Sequence, residues 1–269
     1  MAEAVAAPFD RPDAGFNALP GWTWVGCYGG YYLQCDLLAD FEHGFFSRQW
    51  QGRLPGVLAG YLSAGVTVHR TVQVHGSLVL PASQAAAEPR PQADGLASDA
   101  GAQSLWVCGA DCTPVLLADG ASGRVAACHA GWRGVAGRIV PAAVELLLQA
   151  GTRLEDLRVA MGPAIGGQRY QVLREVSQQV ALGLDPSPSE PEQALDALRG
   201  CGALLSDPEP GRDRLDIRAA THGQLQRLGL LPEQIATCPL CTAAEPELFH
   251  SWRRDQVKAV QWSGIVSQG

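Results

Sequence analysis

The sequence predicts a fold of the α/β class in one large domain, and three observations lead there. Apolar runs of strand length recur along the chain, two stretches carry helical periodicity, and no composition break of domain-boundary strength interrupts the 269 residues. Hydrophobic residues make up 46% and charged residues 17% of the chain, and the mean hydropathy is close to zero. That is the profile of a globular protein, which excludes disorder and fibre. There is no internal repeat. Residues 1–20 are expected to be a loose extension, because Pro8, Pro12 and Pro20 stand among alanines and acidic residues with neither strand nor helix period. Residues 21–269 are expected to form the single domain.

Taken in order, Trp22 to Leu38 and Gly44 to Trp50 are rich in aromatic residues, and Gly29-Gly30 breaks the first, which suggests short strands and a turn. Thr71 to Val74 followed by Leu78 to Pro81 reads as strand, kink at His75-Gly76, strand, with Gly76 letting the backbone turn or approach a neighbour closely. Ala85 to Pro91 reads as a surface loop. Ser104 to Cys108 and Pro114 to Leu117 bracket Gly109-Ala110-Asp111-Cys112, and the run Arg124 to Cys128 ends at His129. Two strand ends thus deliver a cysteine and a histidine. After His129-Ala130-Gly131-Trp132-Arg133-Gly134, Val140, Val144, Leu147 and Leu148 recur at helical spacing until Gly151 stops the run. Pro141 marks a place where this helix begins or kinks. Leu157 to Met161 is another strand-like run, leading into Gly162-Pro163-Ala164-Ile165-Gly166-Gly167, a loop whose glycines permit positive φ. Pro186 to Pro191 reads as a linker or loop, Ile217 to Leu228 as an amphipathic helix closed by Gly229, Ile235 to Cys238 as a further short apolar run, and Val257 to Ile265 as the final strand.

Lys and Arg number 20 against 27 Asp and Glu, a net charge of −7, so there is no basic field to hold a nucleic-acid backbone. Nucleic acid is excluded as a partner. The first residues lack a charged and apolar signal pattern, and no apolar stretch reaches the roughly 18 residues of a membrane span. A cytoplasmic protein with no membrane partner is expected. Eight cysteines in a chain of this length form no compact disulfide framework, which leaves thiol or metal chemistry.

Six histidines limit what sites can be built. His75, Cys112 and His129 all lie near the ends of apolar runs beside small residues. A thiolate with two imidazoles suits Zn²⁺, and three protein ligands leave a fourth position open, as a catalytic zinc requires. Their spacing matches no zinc signature, so a buried cysteine with two hydrogen-bonded core histidines is the alternative. Cys238-x-x-Cys241 lacks a partner pair and reads as buried or incidental thiols in preference to a redox motif. Arg133, in a Gly-Trp-Arg-Gly loop before a helix, is either an anion ligand or a surface arginine stacked on Trp132. Arg48, Arg253 and Arg254 are similar candidates. Asp111, beside Cys112, is either a proton carrier or outer partner of a metal ligand, or a turn-forming residue.

The ordered set Val72-Gln73-Val74-His75-Gly76, Ala110-Asp111-Cys112-Thr113-Pro114-Val115-Leu116-Leu117, His129-Ala130-Gly131-Trp132-Arg133-Gly134 and Gly162-Pro163-Ala164-Ile165-Gly166 resembles the YfiH-like, or laccase-domain, proteins described as purine nucleoside phosphorylases. The resemblance runs from about residue 43 to 262 and continues through Asp216, Cys241-Thr242 and Phe249-His250-Ser251-Trp252-Arg253-Arg254-Asp255. It implies a single α/β domain of the α+β type, with mixed β-sheets packed with flanking helices. It also implies that His75, Cys112 and His129 hold zinc and that Cys112, His129 and Asp111 belong to the catalytic centre. The activities implied are phosphorolysis of adenosine, inosine, guanosine and methylthioadenosine, and hydrolytic deamination of adenosine. Zinc lowers the pKa of bound water toward about 7, which suits attack on carbon 6 of adenine. Phosphorolysis needs phosphate against the anomeric carbon, for which Arg133 and Arg48 are the candidate cations. Tyr170-Gln171-Val172 departs from the family pattern, since Gln171 replaces a carboxylate with an amide that is no base at neutral pH; Gln171 remains a candidate substrate contact. His43-Gly44-Phe45-Phe46-Ser47-Arg48 resembles the family's opening motif without the pieces that usually follow it.

The family's older name suggests a copper polyphenol oxidase. With no His-x-His pair, two methionines and six histidines, the chain cannot assemble a trinuclear copper cluster beside a blue-copper centre. Copper remains an adventitious occupant of the His/Cys set. A cysteine hydrolase or amidase with Cys112 as nucleophile, an editing hydrolase for cell-wall muropeptide precursors, and a non-enzymatic binding module are the other readings. Oligomeric state is not legible from the sequence.

Overall fold

A computed structural model describes residues 19–27, 29–85, 88–187 and 191–269; the expected extension lies outside them apart from residues 19 and 20. In chain order the strands and helices are β1 (Trp22–Cys27), β2 (Gly30–Cys35), β3 (His43–Phe46), α1 (Pro55–Leu62), β4 (Thr67–Arg70), β5 (Val79–Pro81), β6 (Gly95–Ala97), β7 (Gln103–Gly109), β8 (Thr113–Asp119), β9 (Val125–Ala130), α2 (Trp132–Ala136), α3 (Ile139–Gln149), β10 (Leu157–Met161), β11 (Gln171–Leu173), α4 (Arg174–Leu184), α5 (Pro191–Gly200), β12 (Leu204–Ser206), β13 (Arg212–Leu215), α6 (Ile217–Arg227), β14 (Ile235–Thr237), α7 (Trp252–Asp255) and β15 (Gln261–Val266).

The strands form two six-stranded mixed sheets and a small third one. The first runs β1-β2-β3-β15-β7-β4, the second β14-β10-β8-β9-β6-β5, and the third β11-β13-β12. Every residue of β8 and β9 is buried, as befits strands covered on both faces. The two-residue alternation of a strand sorts their side chains. Leu116, Ala118 and Ala127 pack with Leu33, Phe45, Leu105, Val107 and Ile265 between the two large sheets. Val115, Leu117, Ala126 and Cys128 face the other way, onto Val140, Ala143, Val144 and Leu147 of α3. The same outer core takes in Val180 and Leu184 of α4 and Leu215 of the third sheet. On the far side of the first sheet, Tyr32, Phe46 and Trp106 are covered by Trp50 and by Leu58 and Ala59 of α1. Each fully buried aliphatic or aromatic side chain contributes about 1.5–3 kcal/mol, so this layered packing is what fixes the two sheets on one another. No helix among the described residues is long and apolar enough to cross a membrane.

Several expected elements shift for physical reasons. Thr71 to Val74 is not a strand: the strand is β4, just before it, and Val72 makes only an isolated bridge with Gln92. Past that bridge the backbone amides are taken up by the buried Asp94 carboxylate described below. The left-handed residue of the kink is His75, at φ 61°, and not Gly76. The helix after Trp132 is two helices, α2 and α3, separated by Arg138 in the left-handed region. Pro141 sits in the first turn of α3, where a backbone N–H has no intrahelical acceptor to lose. The glycines of the 162–167 loop all keep ordinary φ; Gly162 is there for space, since a Cβ on it would fall 2.1 Å from Phe45 Cδ1. Helices α1, α4, α5 and α7, strand β6 and the third sheet were not expected, and the final strand begins at Gln261 and not at Val257.

Gly162→Ala should therefore force Phe45 off its seat between the sheets and destabilise the protein by about 1–3 kcal/mol. Urea unfolding measures this, and an unchanged midpoint would contradict the packing described.

Candidate metal centre

Three chain segments converge at one end of the second sheet. His75 lies in the turn before β5, Cys112 ends the tight turn from β7 into β8, and His129 belongs to β9, where it pairs with Pro114. The turn before β8 needs Asp111 in a left-handed conformation, φ 99°, and this aims Cys112 back toward β9. The ligand atoms of His75, Cys112 and His129 lie within 4.8 Å of one another. The two imidazoles meet edge to face, with centroids 4.8 Å apart and planes at 78°. Burial rises from His75, which is exposed, through Cys112 to His129, which is buried, so the site opens to solvent on the His75 side. Gly131 forms its wall: a Cβ there would stand 2.9 Å from Cys112 Sγ.

Asp94 organises the cluster, and the sequence reading missed it. Its carboxylate is fully buried. Oδ2 accepts from the backbone amides of Val74 at 3.0 Å and Gly76 at 2.8 Å. Oδ1 accepts from the amide of His75 at 2.9 Å and from His129 Nδ1 at 2.8 Å. Consecutive amides turned onto one carboxylate form an anion-binding concavity. With Nδ1 donating to Asp94, Nε2 of His129 is left as the ligand atom, and the carboxylate fixes both tautomer and ring orientation.

The charges follow from this arrangement. Burial raises the Cys112 thiol, but hydrogen bonds and charge from His129 and His75 overcome it and bring the group from 9.0 down to about 7. Burial lowers His129, yet Asp94 and the Cys112 thiolate outweigh it and raise the imidazole to about 9. For Asp94, burial is offset by the His129 hydrogen bond and by the Gly76 and Val74 amides, which hold the carboxyl below its usual range. Without a metal, Cys112 and His129 thus form a thiolate–imidazolium pair. Two nitrogens and one sulfur with a solvent-facing side fit a divalent metal of the zinc or copper kind.

The remaining candidates are spread around this centre. Asp111 has both oxygens engaged, Oδ1 accepting from Thr242 Oγ1 at 2.6 Å and Oδ2 from the Arg253 amide at 2.7 Å. Arg133 is exposed and stacks on Trp132, its guanidinium carbon 4.3 Å from the ring centroid. Gln171 donates through Nε2 to Asp207 at 2.9 Å and Glu209 at 3.2 Å. Arg253 lies 4.8 Å over the ring of Tyr170 and donates to the Gln171 carbonyl at 2.8 Å. Tyr170 is raised to about 12 by burial and by the negative charge of Cys112, which puts its protonated phenol in the electrostatic field of the triad. Arg48 lies in a separate cavity and donates to the Pro246 carbonyl. Arg254 is a strap, bonded to Asp255, Thr242 O and Phe249 O. His43 and His69 are satisfied core histidines. Cys238 is a buried thiol pushed up to about 12 by desolvation, and Cys241 Sγ accepts from the Gly166 amide at 3.1 Å, so the CxxC pair is structural.

A family model described as "Multi-copper polyphenol oxidoreductase laccase" matches residues 57–267. The chain is 44% identical over 256 residues to a purine nucleoside phosphorylase of Synechocystis sp., a match that covers 91% of this chain and 97% of that protein. It is 34% identical over 198 residues to a purine nucleoside phosphorylase of Streptomyces coelicolor, covering 72% of this chain and 74% of the relative. The crystal structure of YlmD from Geobacillus stearothermophilus is similar with a TM-score of 0.75 and 25% identity, over 91% of this chain and 99% of that one.

Asp94→Asn keeps the shape of the carboxylate but removes its charge and one of its acceptor atoms. Metal affinity, measured by competition with a chromophoric chelator, should fall about 10–100-fold. In metal-free protein, alkylation of Cys112 should rise with pH around a midpoint near 7, and added metal should suppress it. A midpoint near 9 would contradict the thiolate–imidazolium pair.

Proposed function

We propose, from the premise that the chain belongs to the laccase-domain, YfiH-like family of purine nucleoside phosphorylases, that it is a zinc-dependent purine nucleoside phosphorylase acting on adenosine, inosine, guanosine and methylthioadenosine. The observation that carries this reading is the convergence of His75, Cys112 and His129, ligand atoms within 4.8 Å, in a family whose curated relatives are named for that activity. Bound at these residues, zinc would supply Lewis-acid charge at the solvent-facing side of the triad.

In phosphorolysis a phosphate oxygen bonds to the anomeric carbon as the glycosidic C–N bond breaks, and the base leaves with the electron pair and takes up a proton. The chain's own part is to bind and orient. Arg133, with no acidic partner among the described residues, and Arg48 are the cations for phosphate. Tyr170 carries the Arg253 guanidinium over its ring and so positions that cation. Asp111 acts by position, tying the Thr242 and Arg253 loops to the turn that carries Cys112. Gln171 spends its amide on Asp207 and Glu209 and cannot act as a base, which favours phosphorolysis over adenosine deamination. The free thiols at Cys35, Cys108, Cys112, Cys128, Cys201, Cys238 and Cys241 suit a reducing, cytoplasmic compartment.

Copper is an adventitious occupant in this reading, because the six histidines include no His-x-His pair for an oxidase cluster. One observation favours a second reading: a cysteine at about 7 beside two histidines is also a nucleophile, as in an amidase or a muropeptide-editing hydrolase. Metal content separates the two, since a coordinated thiolate does not attack.

The test is product chromatography after incubation with adenosine, with and without phosphate. Adenine and ribose 1-phosphate appearing only with phosphate are expected; inosine as the main product would overturn the preference. Cys112→Ala should lose tight metal binding and turnover together, and retention of both would contradict the assignment. Gln171→Glu places a third carboxylate beside Asp207 and Glu209 and should lower the urea midpoint without gaining deamination. Inosine from that variant would contradict the role given to Gln171.

A further inference from the structure

The turn that carries His75 is pinned twice, and the second pin is a side chain outside the metal centre. β4 runs parallel to β7 and leaves it after Arg70, which stands opposite Trp106. β7 goes on to Gly109, so its last backbone groups on that side have no strand residue opposite them. The Gln73 side chain takes the vacant place. The Cys108 amide donates to Gln73 Oε1 at 2.8 Å, and Gln73 Nε2 donates to the Cys108 carbonyl at 2.7 Å. A carboxamide offers the same donor and acceptor as a peptide group, so this pair adds one rung to the ladder where β4 has ended.

Its position in the chain gives the rung a second consequence. Gln73 stands two residues before His75, and Cys108 stands four residues before Cys112. The Asp94 carboxylate binds the amides of Val74, His75 and Gly76 together with His129 Nδ1, which fixes His75 relative to His129. The bonds of Thr71 and Val72 run the same way. Thr71 Oγ1 donates to the Ala93 carbonyl at 2.6 Å, the Val72 amide donates to the Pro91 carbonyl at 2.9 Å, and the Ala93 amide donates to the Val72 carbonyl at 3.2 Å. Of all these bonds, those of Gln73 cross to β7. β7 belongs to the first large sheet and β8 and β9 to the second, and Cys112 lies in the turn that passes between them. Gln73 therefore ties the His75 turn to the strand from which the Cys112 turn departs.

We propose that Gln73 is a positioning residue for the metal centre, its side-chain amide setting the distance between His75 and Cys112 as Asp94 sets that between His75 and His129. The proposal rests on the metal reading of the triad and adds that the sulfur and the exposed imidazole are brought together by a separate device. An apolar side chain of the same length would leave the turn its Asp94 bonds and remove its tie to the sulfur.

The experiment is titration of the full chain, stripped of metal, with zinc in competition with a chromophoric chelator and with cobalt(II), whose thiolate-to-metal charge-transfer absorption reports the bond to Cys112. Gln73→Met should weaken zinc binding about tenfold, as loss of an outer support of a metal ligand does, and should lower the charge-transfer absorption per bound cobalt. Gln73→Glu is the second variant and has the parent's shape. It keeps the acceptor for the Cys108 amide but sets a carboxylate oxygen against the Cys108 carbonyl, so both readouts should move in the same direction. Circular dichroism confirms that each variant is folded. Thr71→Val removes a side-chain bond of the same segment that two main-chain bonds duplicate, and it should leave affinity and absorption as in the parent. Folded Gln73 variants that match the parent in both readouts would overturn the proposal. An equal loss from Thr71→Val would also overturn it, by making Gln73 one of several bonds that only stabilise the segment. A parent that binds cobalt without the charge-transfer absorption would remove the metal reading and this proposal with it.

Discussion

One buried carboxylate holds this structure's functional end together. Asp94 accepts hydrogen bonds from the amides of Val74, His75 and Gly76 and from His129 Nδ1, and its own carbonyl accepts from the His129 amide at 2.7 Å. A charge taken fully out of water is tolerated only when such partners replace the solvent. The same bonds that satisfy Asp94 hold His75 in a left-handed conformation that a bare chain avoids. They also join a loop outside the sheets to β9 inside them. The ligand set is thus a consequence of one anion's solvation.

The two large sheets give that arrangement its rigidity. β8 and β9 are buried along their whole length, so Cys112, in the turn that enters β8, and His129, on β9, are anchored to strands that cannot slip without moving alternate side chains to the wrong face. Close approach of the layers is enforced where no side chain fits, at Gly162 against Phe45 and at Gly131 against Cys112. Asp111 does similar work at the entry to β8, since its two oxygens accept from Thr242 Oγ1 and the Arg253 amide. These contacts tie the Arg253 segment, with Tyr170 under its guanidinium, to the turn that carries Cys112.

Much of this was legible in the sequence, and the parts that were not share a cause. β10 and α6 showed themselves through period and flanking glycine, and the His-Ala-Gly-Trp-Arg-Gly segment marked the strand end that carries His129. From the residues alone Cys112 and His75 were visible as chemistry but not as neighbours, because convergence of three chain segments leaves no spacing to read; the family resemblance is what joined them with His129 on one metal. Asp94 was invisible for a different reason. Followed by Gly95 ahead of a strand of three residues, it has the local pattern of an ordinary turn, and its partners lie about 20 and 35 residues away. The third sheet escaped because strands of three or four residues are too short to show a period. Gly76 was singled out where His75 bears the positive φ, since the force that bends this turn is the distant carboxylate and not local preference.

The account stands on the claim that these residues coordinate a single zinc through one sulfur and two imidazoles. The most direct measurement is zinc-edge X-ray absorption on the protein as purified. The account predicts one sulfur scatterer at about 2.3 Å and two imidazole nitrogens at about 2.0–2.1 Å, with a light atom completing the shell. A shell without sulfur, or one with two or more sulfurs, would contradict it.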